Sequence, residues 1–529
     1  MKLKLTILSV IVFMAGIATL FSSAASAQLT DRTQNPNAAN AGIAKSLTQQ
    51  IGAGRGNVMT PGSSSFIIAR DPFRSVRRGR QLFQRKFLRS QGVGPLANDG
   101  VGDINNNLAL GAGLADSCAA CHGRPRGSAG FGGDVVTRPD SRDAPHLFGL
   151  GIKEMLADEI TAGLRAIREA ARQQAQQSNL NVTRNLVDKG INYGRITARP
   201  NGTFDTSQVR GVDADLRVKP FFHHGATTSI REFAVGAFND EMGLQAADPE
   251  LLSAHNGARF VTPSGMVLDG AKDRVNAPPT GNVNADPDND GVRNEIPVSL
   301  VDHMEFYLLN YFKAGTHEQT EVTRRGREIF EQVNCTQCHI PNLRINRDRR
   351  VADVETVYDT EKGIYNNLFA TAAPLFSEVN DNSGFATLKR PNLQPFVVEN
   401  IFADFKRHDL GPNFHERNYD GTLQTMFLTT PLWGVGSTPS YGHDGRSINL
   451  REVILRHGGE AQTSRDAFAN LSLNNQRRLT AFLESLIIFP PDDTASNLDP
   501  GNRFTAGFPQ FGHGSIRLTT LFNDPNDPE

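Results

Sequence analysis

Two copies of one spacing constrain this chain more than any other feature: Cys118-Ala119-Ala120-Cys121-His122 and Cys335-Thr336-Gln337-Cys338-His339. The chain holds 4 cysteines, and the two motifs use all of them. Cys-x-x-Cys-His is the spacing for attaching a c-type haem. Two thiols make thioethers to the haem vinyl groups, and the short turn swings the adjacent His under the ring to ligate iron. Zinc and redox-disulfide readings of Cys-x-x-Cys are the rivals. Recurrence of the whole motif favours two covalently bound haem c groups.

Compartment follows from the first residues. Lys2 and Lys4 precede an apolar run from Leu5 to Leu20, and Ala25-Ser26-Ala27 offers a small-residue cleavage site. The run is short for a spanning helix, so a signal peptide over 1–27 and a periplasmic or secreted mature chain are expected, with no membrane contact after cleavage. The composition, 38% hydrophobic and 21% charged over 529 residues, is that of a globular protein. A formal net charge of -1 gives no reason to expect a nucleic acid or an anionic membrane as partner.

Both motifs have helical flanks. Gly326-Arg327-Glu328-Ile329-Phe330 precedes the second, and Gly79 with Leu82, Phe83 and Phe87 repeats the pattern before the first. A Gly- and Asn-rich insertion, roughly Gln91 to Ser117, reads as a surface loop. Helical period is also clear at Met155, Leu156, Ile160, Leu164 and Ile167, and at Leu479, Phe482, Leu483 and Leu486 ahead of Pro490-Pro491. No comparable alternating strands stand out. The expected fold is therefore mainly α, with two class I cytochrome c-type domains and long irregular loops. Its divisions are an N-terminal haem c domain with a distal pocket (28–285), a calcium loop and linking helix (286–318), a C-terminal haem c domain (319–490) and an extension (491–529).

Each iron needs a further axial partner or an open position. Asn449 can cap a helix, with Glu452 at the reciprocal position of a capping box. Leu450, Val453, Ile454 and His457 then share one face, which predicts His339 and His457 as the ligands of the second haem. Upstream lies the turn Tyr441-Gly442-His443-Asp444-Gly445-Arg446. His443 and Arg446 there could pair with haem propionates; the alternative is an ordinary solvated turn.

The order of these stretches resembles the bacterial di-haem cytochrome c peroxidase superfamily, and most closely its di-haem oxidoreductases related to the rubber oxygenases. The resemblance runs through Cys118–Gly127, Arg142–Gly151, Phe221–Gly243, Asp286–Phe312 and Gly326–His339. It continues through His408-Asp409-Leu410-Gly411-Pro412, Thr430–Gly434 and Tyr441–Ala461. In that family the second ligand lies 14 residues after the His of the His-Asp-Gly turn, which from His443 lands on His457. A His there implies a bis-His haem of lower potential. No His occurs from Ser128 to Arg142, so the resemblance implies a first haem with an open or water-bound position; His146 is the alternative ligand. Glu241, before Met242-Gly243, matches the family's catalytic Glu. His223 stands where the peroxidases have an inter-haem Trp, and Phe238 where the rubber oxygenases have a gating Phe.

Asp286-Pro287-Asp288-Asn289-Asp290-Gly291 resembles a calcium loop, with alternating carboxylates and a Gly for the turn. A plain acidic linker is the other reading. The resulting expectation is a di-haem peroxidase-type oxidoreductase. A soluble periplasmic donor would feed the second haem, and the first would reduce peroxide with Glu241 as acid–base. The alternatives are a haem-dependent dioxygenase and a pure electron-transfer cytochrome c.

Overall fold

A computed structural model describes residue 43 and residues 45–94, 115–123, 134–135, 142–313, 319–358, 368–417, 421–487 and 515–517. The expected signal segment 1–27 lies outside them. So do most of the stretches Gln91–Ser117 and Ser128–Arg142 and most of the extension 491–529.

The expected helices form. The run through Met155 and Ile167 belongs to a helix from Leu150–Ser178 whose buried face includes Leu156, Ile160 and Leu164. The C-terminal run forms Leu473–Glu484, capped by Ser472, whose side chain accepts from Asn475 N. Two helices precede the motifs, Pro72–Gln84 and Glu321–Gln332. Each crosses a later helix at a glycine. A Cβ on Gly79 would sit 2.3 Å from the His303 carbonyl oxygen and from Tyr307 Cβ, on the helix Val298–Asn310. A Cβ on Gly326 would sit 2.0 Å from the Arg478 carbonyl oxygen, on Leu473–Glu484. Only glycine permits these approaches.

The mainly α expectation does not hold, and a cytochrome c fold is not shown. Among the described residues 20 strands form 9 separate small sheets. Most strands run two to four residues, too short to leave an alternating pattern in the sequence. One of the two long hairpin pairings joins Val182–Asp188 to Ile191–Ala198 antiparallel, with a register shift between Asn185 and Val187. Its two-residue turn, Lys189-Gly190, has positive φ at both positions (47° and 80°), the geometry that matches strand twist in a tight hairpin. Ile191, Tyr193, Ile196 and Ala198 are buried against the long helix, but the bulge and the odd spacing across Gly194 break their alternation.

Two hydrophobic clusters result. The larger draws on residues from Ile68 to Trp433, including Leu343, Ile345, Ala403 and Phe405. The smaller gathers Ile329, Phe330, Phe402, Leu479, Phe482 and Leu486 around the second helix crossing. The residues 319–490 thus contribute to both. None of the described helices is long and apolar enough to cross a membrane.

Candidate functional site

Both Cys-x-x-Cys-His motifs line one continuous cavity of about 510 Å³. Cys118–His122 is a single helical turn whose N-cap, Ser117, accepts from Ala120 N. No disulfide joins the four cysteines. Burial pushes Cys118 up to about 12. Burial and the nearby Glu241 carboxylate push Cys121 up to about 11. Both are protonated thiols at neutral pH.

The imidazoles carry the clearest signal. His122 Nδ1 donates to the Pro145 carbonyl at 2.7 Å, His339 Nδ1 to Phe402 at 3.1 Å, and His457 Nδ1 to Val453 at 2.7 Å. A carbonyl can only accept, so each Nδ1 holds the proton and each Nε2 keeps a lone pair. Burial lowers His122 and His457 to about 4 and lowers His339 as well, so all three are neutral. Locking the distal nitrogen to a backbone carbonyl is how a metal-binding His is usually fixed in tautomer and ring orientation. Three such rings on one cavity wall, beside both cysteine pairs, fit iron ligands of haem.

His457 is held by its own helix. Leu450–Arg456 is capped by Asn449, whose side chain accepts from Glu452 N, and His457 is its C-terminal cap residue. The Glu452 carboxylate reaches back to Ile448 N at 3.0 Å rather than to Asn449, one residue beyond a true capping box. Val453, Ile454 and His457 are half-buried because their face turns to the cavity rather than to a solid core.

Glu241, Phe238 and His223 also line the cavity. The first two lie on the helix Ile230–Met242, which ends at Gly243 with φ 73°. Arg231 pins that helix to Val298–Asn310. It is fully buried, with ion pairs to Asp248 at 2.6 Å, Asp302 at 2.9 Å and Glu305 at 3.3 Å. His223 sits in a loop closed by the Ala226 N to Phe221 O bond, and Leu428 N donates to its carbonyl at 2.7 Å. Its ring lies 6.0 Å from that of His443.

The His-Asp-Gly turn differs from expectation in detail. His443 lines the cavity, but its Nε2 lies 2.6 Å from Glu416 and its ring stacks on Phe427 at 4.1 Å. Arg446 is mostly exposed, 3.5 Å from Asp444, and is not on the cavity wall. The arginine that Asp444 holds firmly is Arg456, at 2.7 Å.

Sequence reading missed several residues. Lys153, lowered by burial to about 8, and Arg465 are the cations on the cavity wall. Lys153 had a signal: it interrupts the apolar face of a strongly periodic helix. His408 lies between Asp404 and Glu460, at 2.9 Å from each, close to Cys338. His146 is not an iron ligand by its Nε2, which donates to the Trp433 carbonyl at 2.9 Å.

The acidic loop converges as its spacing suggested. Asp286, Asp288 and Asp290 bring one oxygen each within 4.8 Å of one another, and Gly291 turns the chain at φ 91°. Glu295, 4% exposed, receives Gln245 N on Oε2, while its Oε1 and Asp288 Oδ1 are buried without a partner among the described residues. Burial, then the neighbouring carboxylates, push Glu295 up to about 8 and Asp288 to about 6. Such a cluster fits a hard cation.

The class of protein this site defines is a haem-dependent oxidoreductase. Consistent with it, residues 343–486 match the family model described as "Di-haem oxidoreductase, putative peroxidase". The matched span starts just after His339 and includes His408, Trp433, His443 and His457. No curated protein matches the chain. Among solved structures, "Kuenenia stuttgartiensis Hydrazine Synthase Pressurized with 20 bar Xenon" is similar over 85% of this chain and 100% of its own, at 13% identity and a TM-score of 0.34. That likeness is too slight to bear on fold or function.

Proposed function

We propose that this chain is an exported di-haem c-type oxidoreductase of the peroxidase kind, supplied with electrons by a soluble periplasmic donor. One observation carries the reading: three cavity-lining imidazoles, each with Nδ1 committed to a backbone carbonyl, accompany two Cys-x-x-Cys-His motifs. Cys118 and Cys121 hold one haem with His122, while Cys335 and Cys338 hold the other with His339 and His457. Haem would supply one-electron redox chemistry there and a place for a small oxidant.

The residues around the first motif then set the reaction. Glu241, beside Cys121, takes a proton from peroxide and returns it to the departing oxygen. Reduction of peroxide to two waters takes two electrons and two protons. His122, fixed by Pro145, stays neutral throughout. His223 and Phe238 shape the same pocket. Asp286, Asp288 and Asp290, with Glu295, hold a structural calcium.

The test is direct. Denatured protein should keep haem stain with two irons per chain, and Glu241→Gln should lower peroxide turnover by about 10²–10⁴ while both haems stay bound. A single iron, or zinc, overturns the reading.

A dioxygenase is the second reading, favoured by the apolar wall near the first motif, where Phe83, Phe222, Phe233, Phe238, Met304 and Leu308 line the cavity. It predicts dioxygen uptake with an unsaturated substrate and tolerance of Glu241→Gln.

A further inference from the structure

The two motifs are far apart in sequence, yet a short bonded route joins their histidines. His122 Nδ1 donates to the carbonyl of Pro145 at 2.7 Å. The next residue, His146, donates from Nε2 to the carbonyl of Trp433 at 2.9 Å. Leu432, the residue before, donates its N–H to the carbonyl of Ile401 at 3.0 Å. The next residue, Phe402, accepts from His339 Nδ1 at 3.1 Å. Three dipeptides, Pro145-His146, Leu432-Trp433 and Ile401-Phe402, thus form a continuous bridge with four hydrogen bonds.

The bridge is buried at its inner end, while Pro145 is exposed and His146 and Leu432 are half-buried. Ile401 and Phe402 are fully buried, and Trp433 is 2% exposed. The Trp433 ring lies against Gly149, where a Cβ would come within 2.8 Å of Cζ2. Gly149 has φ 72°, so both its shape and its conformation favour glycine. Burial lowers His146 to about 4, so the ring is neutral with its one proton on Nε2. Its side chain is the only one between the two ligand imidazoles; every other link is backbone.

We propose that this bridge carries the electronic coupling between the two haem sites, with His146 as its adjustable link. The inference rests on the two-haem reading above. Electrons pass through covalent bonds and short hydrogen bonds more readily than through gaps, and a bridge ending on both ligand imidazoles meets that need. One electron, supplied by the external donor, leaves the His339 side as one arrives on the His122 side. No bond breaks, and His146 keeps its proton. His146 is a positioning residue here, not a catalytic one. The indole of Trp433 is not the conductor; its backbone carbonyl is.

A second route must be excluded. His457, Phe414, His443 and His223 form a chain of rings with centroid separations of 5.1, 6.0 and 6.0 Å. The experiment measures the rate at which an electron placed on the His339 side by a fast small-molecule reductant equilibrates between the sites. Resting electron paramagnetic resonance and melting temperature are followed alongside. His146→Leu or His146→Met, which remove the donor, should slow that relaxation severalfold without changing the resting spectra. His146→Gln, which can still donate, should restore most of it, and Trp433→Phe, which keeps the carbonyl, should leave it near wild type. An unchanged rate in both His146 variants overturns the proposal. So does a loss in Trp433→Phe as large as in His146→Leu, or a loss confined to Phe414→Leu. A protein carrying fewer than two haems overturns the reading beneath it instead.

Discussion

The surroundings of the two motifs share one half of their design and differ in the other. On the shared side, each motif follows a helix that crosses a later helix at a glycine, and each motif His gives its Nδ1 proton to a backbone carbonyl. On the differing side, the second motif faces His457, a further imidazole tied the same way to Val453. The first shares its cavity wall with Glu241, Phe238 and a His223-His224 loop. A second tied imidazole suits a site that only passes electrons, because it saturates the metal. A carboxylate suits a site where a small molecule must gain and lose protons. Under the proposed function, the same scaffold would serve two tasks according to what stands opposite the motif.

The sharpest way to break that contrast is His457→Ala. Removing this ring should convert the second haem from low to high spin, a change in half of the iron signal, and leave the first unaltered. Electron paramagnetic resonance reads both sites in one sample. Survival of the full low-spin signal would mean that another residue saturates the second site.

The shared half makes a second prediction. Gly79→Ala and Gly326→Ala each force a Cβ onto a backbone carbonyl that cannot turn aside. Each should lower stability by about 1–3 kcal/mol, the usual cost of overpacking. Helix propensity favours alanine by about 1 kcal/mol and offsets only part of this. Denaturant unfolding of both variants should show similar losses; a loss at one glycine alone would mean that the parallel is only superficial.

How much of this was legible in the sequence depends on whether a residue's role is set by local spacing. Cys118, Cys121 and His122, and their second copies, are readable because one fixed spacing recurs. The place of His457 on the cavity wall was readable twice, from a helical stripe and from a count. The convergence of Asp286, Asp288 and Asp290 was readable because these residues alternate along a short segment. The strands were not, since most are too short for alternation and the pairing of Val182–Asp188 with Ile191–Ala198 is broken by a bulge. Arg446 misled because a turn beside a site looks the same whether its arginine points inward or, as here, to solvent. Pro145, Phe402 and Trp433 act through backbone carbonyls, which leave no trace in residue type. Glu416 beside His443 and Glu460 beside His408 come from distant segments, so no local pattern announces them.

The smallest effect expected concerns the calcium loop, and it should reach the first site only. Gln245, three residues beyond the end of the helix bearing Glu241, donates its N–H to Glu295, and Gly94 N donates to the carbonyl of Met242. Loss of a cation held at a hundred times its dissociation constant should cost about 2.7 kcal/mol. The cost should depend on pH, with a definite sign. In the cation-free protein Asp288 and Glu295 are raised to about 6 and about 8, so the folded chain holds protons that the unfolded chain releases at lower pH. Their contribution is complete below the ordinary carboxylate range and disappears as pH rises through those two values. Bound calcium replaces the protons and removes that decline. Chelation should therefore matter little near pH 5 and most above pH 8, measured by thermal unfolding with and without chelator. The spectrum of the first haem should shift with it while that of the second stays fixed. A chelator effect that is absent, or the same at every pH, would return Asp286, Asp288 and Asp290 to the role of an acidic linker.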